Sequence, residues 1–187
     1  MWPWEHLAVG YLGYSVFARL SGHPVTDRSV TAVMIGTQFP DLIDKPLWWA
    51  GLLPTGRCLT HSLLIVVPLS LLILQFGSRY DRRQLSTAFV LGYILHLPGD
   101  ALPLLLEGYA HEVGFLLWPV TTVTPGAGDA VPRMFDVITS PVMFLLTNPS
   151  RALLVLGLIS VWALDGFPGV SGISRLIQWL RPVSRRR

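Results

Sequence analysis

The stretch Gly92–Leu106, GYILHLPGDALPLLL, decides how the rest of the chain is read. It is apolar almost throughout, yet His96 and Asp100 lie inside it, four residues apart. A carboxylate buried in such surroundings costs several kcal/mol unless something positive compensates it. A helix puts positions i and i+4 on one face, so imidazole and carboxylate share a site or a hydrogen bond. Pro98 falls between them and predicts a local disturbance of that helix.

The composition supplies the environment. Of 187 residues, 51% are hydrophobic and 13% charged, against roughly 25% charged in an average soluble domain. Mean hydropathy is +0.52. This is the balance of a membrane protein, and the length suits one domain over 1–187 rather than two. Lys45 is the only lysine; arginines cluster in Gly77–Arg83 (GSRYDRR) and Arg181–Arg187 (RPVSRRR). Those clusters fit cytoplasmic flanks of membrane helices. No basic stripe with interleaved aromatics occurs, so nucleic acid is not an expected partner. The single Cys58 excludes an intrachain disulfide and a cysteine-rich zinc site. The start, MWPWEHLAVG, lacks the basic region of a signal peptide, so no cleavage is expected, and Trp2 and Trp4 read as interfacial anchors.

Working outward, the apolar segments alternate with polar turns. His6 to Leu20 is the first, short for a span of roughly 20 residues. Val30 to Phe39 predicts a short helix stopped by Pro40, and Pro40–Pro46 (PDLIDKP) a proline-bounded loop carrying two aspartates. Leu47–Pro54 reads as interfacial. Cys58 to Ser78 is the clearest predicted span, kinked at Pro68, and Gln84 to Leu106 is long enough for another. Trp118 to Pro132 predicts a loop. Val137 to Leu146 and Ala152 to Leu164 predict further apolar helices. Ser171 to Pro182 predicts an amphipathic helix at the interface, ahead of the basic tail. The fold expected is all-α: an integral membrane bundle of five to seven helices, several short or kinked, around a polar metal site.

The ionisable residues interrupting apolar sequence are His6, Asp41, Asp44, Arg57, His61, His96 and Asp100. Ionisable groups within a membrane are functional candidates by default. Each has an ordinary structural reading too. His96 and Asp100 could be a hydrogen-bonded pair in a kinked helix. His61 could sit beside a helix cap made by Thr60 or Ser62, and His6 could lie at headgroup level. Asp41 and Asp44 could be turn residues after Pro40. His23 and His111 lie in polar turns and read as surface residues. Taken together, three histidines and two aspartates at the ends and interruptions of successive apolar helices point to a metal. Imidazole and carboxylate without thiolate suit zinc, manganese or iron.

The ordered pieces WEHLAVGYL, GTQFPDLIDKP, GRCLTHSLL, GYILHLPGDAL and LLWPV resemble the YdjM-like, LexA-regulated family of membrane-bound metal-dependent hydrolases, over about Met1 to Val120. That family is similar in turn to the zinc-dependent phospholipases C. The resemblance implies a divalent cofactor, zinc, as one or two ions. Asp41, His61, His96 and Asp100 would form a first site, with His6 and Asp100 contributing to a second. Pro98-Gly99 inside the H-x-x-x-D pair departs from the expected pattern. So does the lack of the phospholipases' later histidine and glutamate cluster, which Glu107, His111 and Glu112 do not supply.

The function expected is a hydrolase of the plasma (inner) membrane. It would act on a small phosphoester or lipid-like substrate, with membrane lipid as its partner, through metal-activated water. Asp44 would serve as general base or as an orienting group, and Arg57 would hold an anionic group such as a lipid phosphate. The alternative is a noncatalytic membrane protein, either an ion or proton transporter or a carrier of a structural metal. The absence of visible repeats weighs against a transporter. A cytoplasmic Arg79–Arg83 loop would place the site in the outer half of the bilayer.

Overall fold

The computed structural model describes residues 2–123 and 149–170. The expected helix at Val137 to Leu146, the amphipathic helix Ser171 to Pro182, the basic tail and most of the loop after Val123 lie outside them. Within them the chain is all helical, with no strand. In order come α1 (Pro3–Leu20), α2 (Asp27–Trp49), α3 (Leu63–Arg79), α4 (Arg83–Leu106), a 3-10 helix (Ala110–Leu117) and α5 (Pro149–Leu164). The bundle is centred on α4, which packs against α1, α2, α3 and the 3-10 helix, while α5 packs against α1.

Two expectations about boundaries are corrected. Pro40 does not stop a helix and Pro46 does not bound a loop, because α2 runs through both. Asp41 and Asp44 are therefore helical residues about one turn apart. A proline inside a helix removes one bond and crowds the preceding turn, but neighbouring helices can restore partners. Here Thr60 Oγ1 donates to the Pro40 carbonyl at 3.1 Å. The run Cys58 to Ser78 is not one helix either. The first five residues are irregular, and α3 begins only at Leu63. Ser62 is its cap, with its side chain accepting from Leu64 N–H. Only α4 among the described helices is long and apolar enough to cross a membrane; α3 and α5 are shorter apolar helices. Pro98 and Pro103 leave α4 continuous.

Glycine sets the closest approach. A Cβ at Gly36 of α2 would collide with the Phe89 carbonyl of α4, and one at Gly92 of α4 with the Val33 carbonyl of α2. The two backbones meet there as closely as they can, as small residues allow between helices in lipid. Beside that contact, Tyr14, Ala18, Val33 and Ala88 form one buried cluster, and Val66, Tyr93 and Leu97 form another. Both are small, and large apolar side chains such as Leu64, Leu71, Leu102 and Leu153 face outward. An apolar exterior around a modest polar interior is what a lipid solvent selects.

Polar contacts fasten α5 to α1, and the two helices run parallel. Arg151 Nε bonds Glu5 Oε1 at 2.7 Å, and Glu5 Oε2 accepts from Trp2 N–H at 2.7 Å, closing the cap of α1. At the other end Asp165 accepts from Tyr11 Oη (2.6 Å), Ser15 Oγ (2.7 Å) and Arg19 Nη2 (2.7 Å). Burial pushes the Asp165 carboxyl up, but these hydrogen bonds outweigh it and hold it below the ordinary aspartate range.

Candidate metal centre

Four segments deliver the site. The first turn of α1 carries His6, and the middle of α2 carries Asp41 and Asp44. The irregular segment before α3 carries Arg57, Thr60 and His61, and α4 carries His96 and Asp100. His61 and His96 are wholly buried, and His6, Asp100 and Asp44 nearly or wholly so. The structure thus gathers all seven residues singled out in the sequence, with His23 and His111 exposed elsewhere.

His61 is held from behind. Asp44 accepts from its Nδ1 at 2.8 Å. The same carboxylate accepts from Cys58 N–H (2.8 Å), Thr60 N–H (3.0 Å) and Thr60 Oγ1 (2.7 Å). Tyr93 of α4 donates to the Thr60 carbonyl at 2.8 Å, and Ser62 Oγ donates to the Trp118 carbonyl at 2.6 Å. The THS triplet is thereby pinned to α2, α4 and the Trp118-Pro119 segment. His96 is held similarly, with its Nδ1 2.6 Å from the Thr37 carbonyl of α2. That carbonyl lies in the turn preceding Pro40, where proline loosens the helix.

These contacts fix the tautomers. A carbonyl only accepts, and so does an ionised carboxylate, so both histidines carry their proton on Nδ1. In the neutral rings the Nε2 atoms then present lone pairs, and those atoms are 3.1 Å apart. Two lone pairs facing each other repel, unless a proton or a cation lies between them. Carboxylate oxygens surround the same point. His61 Nε2 is 3.6 Å from Asp41 Oδ1 and 3.7 Å from Asp100 Oδ2. His96 Nε2 is 3.9 Å and 3.6 Å from the same two oxygens.

His6 completes the cluster. Its ring stacks on His96 with centroids 3.8 Å apart. Its Nε2 pairs with Asp100 Oδ1 at 3.2 Å, while its buried Nδ1 has no hydrogen-bond partner. Orphaned buried imidazole nitrogens are rare enough to require an explanation. Two ligand sets emerge, His6 with His96 and Asp100, and Asp41 with His61 and His96; the donor atoms within each lie within 4.8 Å of one another. Nitrogen and carboxylate donors, with the His61 and His96 rings oriented through their far nitrogens, are a fit for zinc or a similar divalent ion.

Three contributors escaped the sequence reading. Lys45 sits 2.6 Å from Asp41 Oδ2, beside the Arg57 Nε contact with Asp100 Oδ2 at 2.9 Å. Thr37 acts through its carbonyl, which no side-chain pattern reveals. Phe115 packs its ring edge-on to His61, with centroids 6.1 Å apart. Position i+4 from Asp41 was the available signal for Lys45.

The family model described as YdjM inner membrane protein matches residues 1–170. The chain belongs to that family. The match extends beyond the motif-bearing part and includes α5. Membership in an inner membrane family agrees with the apolar α4 in favouring a membrane location. No curated protein and no solved structure matches the chain.

Proposed function

We propose that the chain is an integral inner-membrane hydrolase that uses a divalent metal, zinc by its donor set, to cleave a phosphoester or lipid-like substrate. The observation that carries the metal is the approach of the two Nε2 atoms to 3.1 Å with oxygens of Asp41 and Asp100 around the same point. One ion accommodates both, since zinc binds imidazole nitrogen at about 2.0–2.1 Å. His61, His96, Asp41 and Asp100 would hold it, with His6 and Asp100 available to a second ion. A bound divalent ion supplies Lewis acidity and lowers the pKa of water. Asp44 serves as the orienting group rather than the base, because both its oxygens are already engaged by Cys58, Thr60 and His61. Arg57 is a fork-shaped donor at the partly exposed rim, suited to a phosphate. Phe115 covers His61 and limits water at that side.

The test is elemental analysis of protein purified in detergent, without chelator and with metal supplied, followed by turnover of soluble and lipid phosphate esters. One or two equivalents of transition metal and metal-dependent hydrolysis are expected. Wild type that stays folded without metal would mean a hydrogen-bonded polar core and would remove the hydrolase reading. Full metal with no turnover on any ester would leave a structural metal site.

A further inference from the structure

We propose that Lys45 and Arg57 form a two-cation subsite at the mouth of the centre, which takes the phosphoryl oxygens of an anionic phosphate ester. The proposal deepens the metal reading and rests on it for its charge balance. Among the described residues, Lys45 contacts the cluster carboxylate Asp41 and Arg57 contacts Asp100. The contacts differ in kind: Asp41 Oδ1 faces the histidines while Oδ2 faces Lys45, whereas Arg57 bonds Asp100 Oδ2, the oxygen that also faces His61 and His96. The two side chains are about one third exposed, 33% for Lys45 and 36% for Arg57, while the groups behind them are buried. Solvent reaches these two side chains while the carboxylates and imidazoles behind them are shielded.

They also belong to one rim. A Cβ at Gly56 would lie 3.3 Å from Lys45 Cγ, so the backbone that carries Arg57 rests on the Lys45 stem. Asp41 holds the Lys45 ammonium and Asp100 the Arg57 guanidinium. A divalent ion bound to the same two carboxylates would add positive charge and leave it in excess. Asp41 and Asp100 then share their charge with the ion, and the ammonium and guanidinium have donors to give to an incoming anion. Arg offers a planar fork and Lys a mobile point charge, a pairing that suits a tetrahedral phosphoryl group. By linkage, an anion that engages both cations strengthens metal binding as much as metal strengthens anion binding.

Inorganic phosphate is the probe. Its affinity is measured by titration calorimetry on detergent-purified protein with and without zinc, for wild type, Lys45→Met and Lys45→Arg, with zinc content determined for each. Zinc-loaded wild type should bind phosphate, and more tightly than the metal-free form. Lys45→Met should keep its zinc and lose about tenfold or more in phosphate affinity, the loss typical of one charge-assisted hydrogen bond. Lys45→Arg should recover much of it. Equal phosphate affinity in wild type and Lys45→Met, or no phosphate binding by wild type at millimolar concentration, overturns the subsite. Wild type that takes up no zinc overturns the metal reading instead, and the same comparison on metal-free protein then decides the subsite separately. Vesicles of phosphatidylcholine containing phosphatidic acid that displace the phosphate support the subsite with a lipid source. Failure to displace it, with Lys45-dependent phosphate binding intact, supports the subsite for a soluble ester.

Discussion

The metal centre and the α1–α5 seam are built from the same materials and end differently. Both bury carboxylates in an apolar surround, and both join distant parts of the chain. In the seam every carboxylate oxygen is answered by the protein: Glu5 by Arg151 and Trp2 N–H, Asp165 by Tyr11, Ser15 and Arg19. In the centre the far sides of the His61 and His96 rings are held, but their near sides converge, with the two Nε2 atoms 3.1 Å apart, and the buried His6 Nδ1 has no hydrogen-bond partner. Complete pairing makes a fastener. Pairing that is complete behind and open in front makes a place for a ligand.

The sharpest way to break this comparison is to remove a ligand from the open side. His96→Ala or Asp100→Ala should reduce bound metal from one or two equivalents to nearly none by elemental analysis. A mutant that keeps the full complement would make the centre another fastener. Next comes the support behind the ring. Asp44→Asn keeps the volume but loosens the orientation of His61, and metal affinity should fall by about 10- to 100-fold. Competition with a chelator of known affinity measures this, and an unchanged affinity would separate Asp44 from the centre.

The seam should respond in the opposite way. Asp165→Ala leaves the Tyr11, Ser15 and Arg19 donors without their acceptor, which costs about 1–3 kcal/mol. Thermal unfolding in detergent should show the loss, while metal content stays at the wild-type value; metal loss would mean that the two regions are coupled. Arg151→Gln is a smaller change at a partly exposed pair, worth about 1 kcal/mol or less. The smallest effect is in acid. Asp165 has a lowered pKa in the fold, so its contribution is present above the unfolded value of about 3.9 and fades as pH falls from there through the folded value. The stability difference between wild type and Asp165→Asn should shrink over that range, and a difference that grows with acid would contradict the assigned pairing.

Much of the centre was legible because its residues are anomalous where they stand. His96 and Asp100 interrupt an apolar helix, and Asp41, Asp44 and His61, each open to an ordinary turn or cap reading alone, stand out as a set at the ends of successive apolar segments. Helix boundaries were harder. Pro40 and Pro46 read as stops because a proline inside an isolated helix costs about 3 kcal/mol, yet α2 continues through both with α4 and the Thr60 segment against it. The run from Cys58 read as helix because apolar sequence is equally at home in a buried irregular segment. Lys45 shares a helix face with Asp41 only because α2 continues through Pro40, so a loop reading of that segment hides the pair.

The sequence by itself determined an all-α chain suited to lipid, because so few charges leave nothing else to solvate most of its surface. It also determined which side chains could carry chemistry, since only charges with a compensating partner survive in such surroundings. Only the tertiary structure decided how those groups meet. The glycine contact between α2 and α4 brings their backbones together beside the Thr37 carbonyl that holds His96. Asp44 ties the irregular segment before α3 to the same place and turns His61 inward. Tautomer and ring direction follow from those long-range bonds, and no local pattern in the chain encodes them.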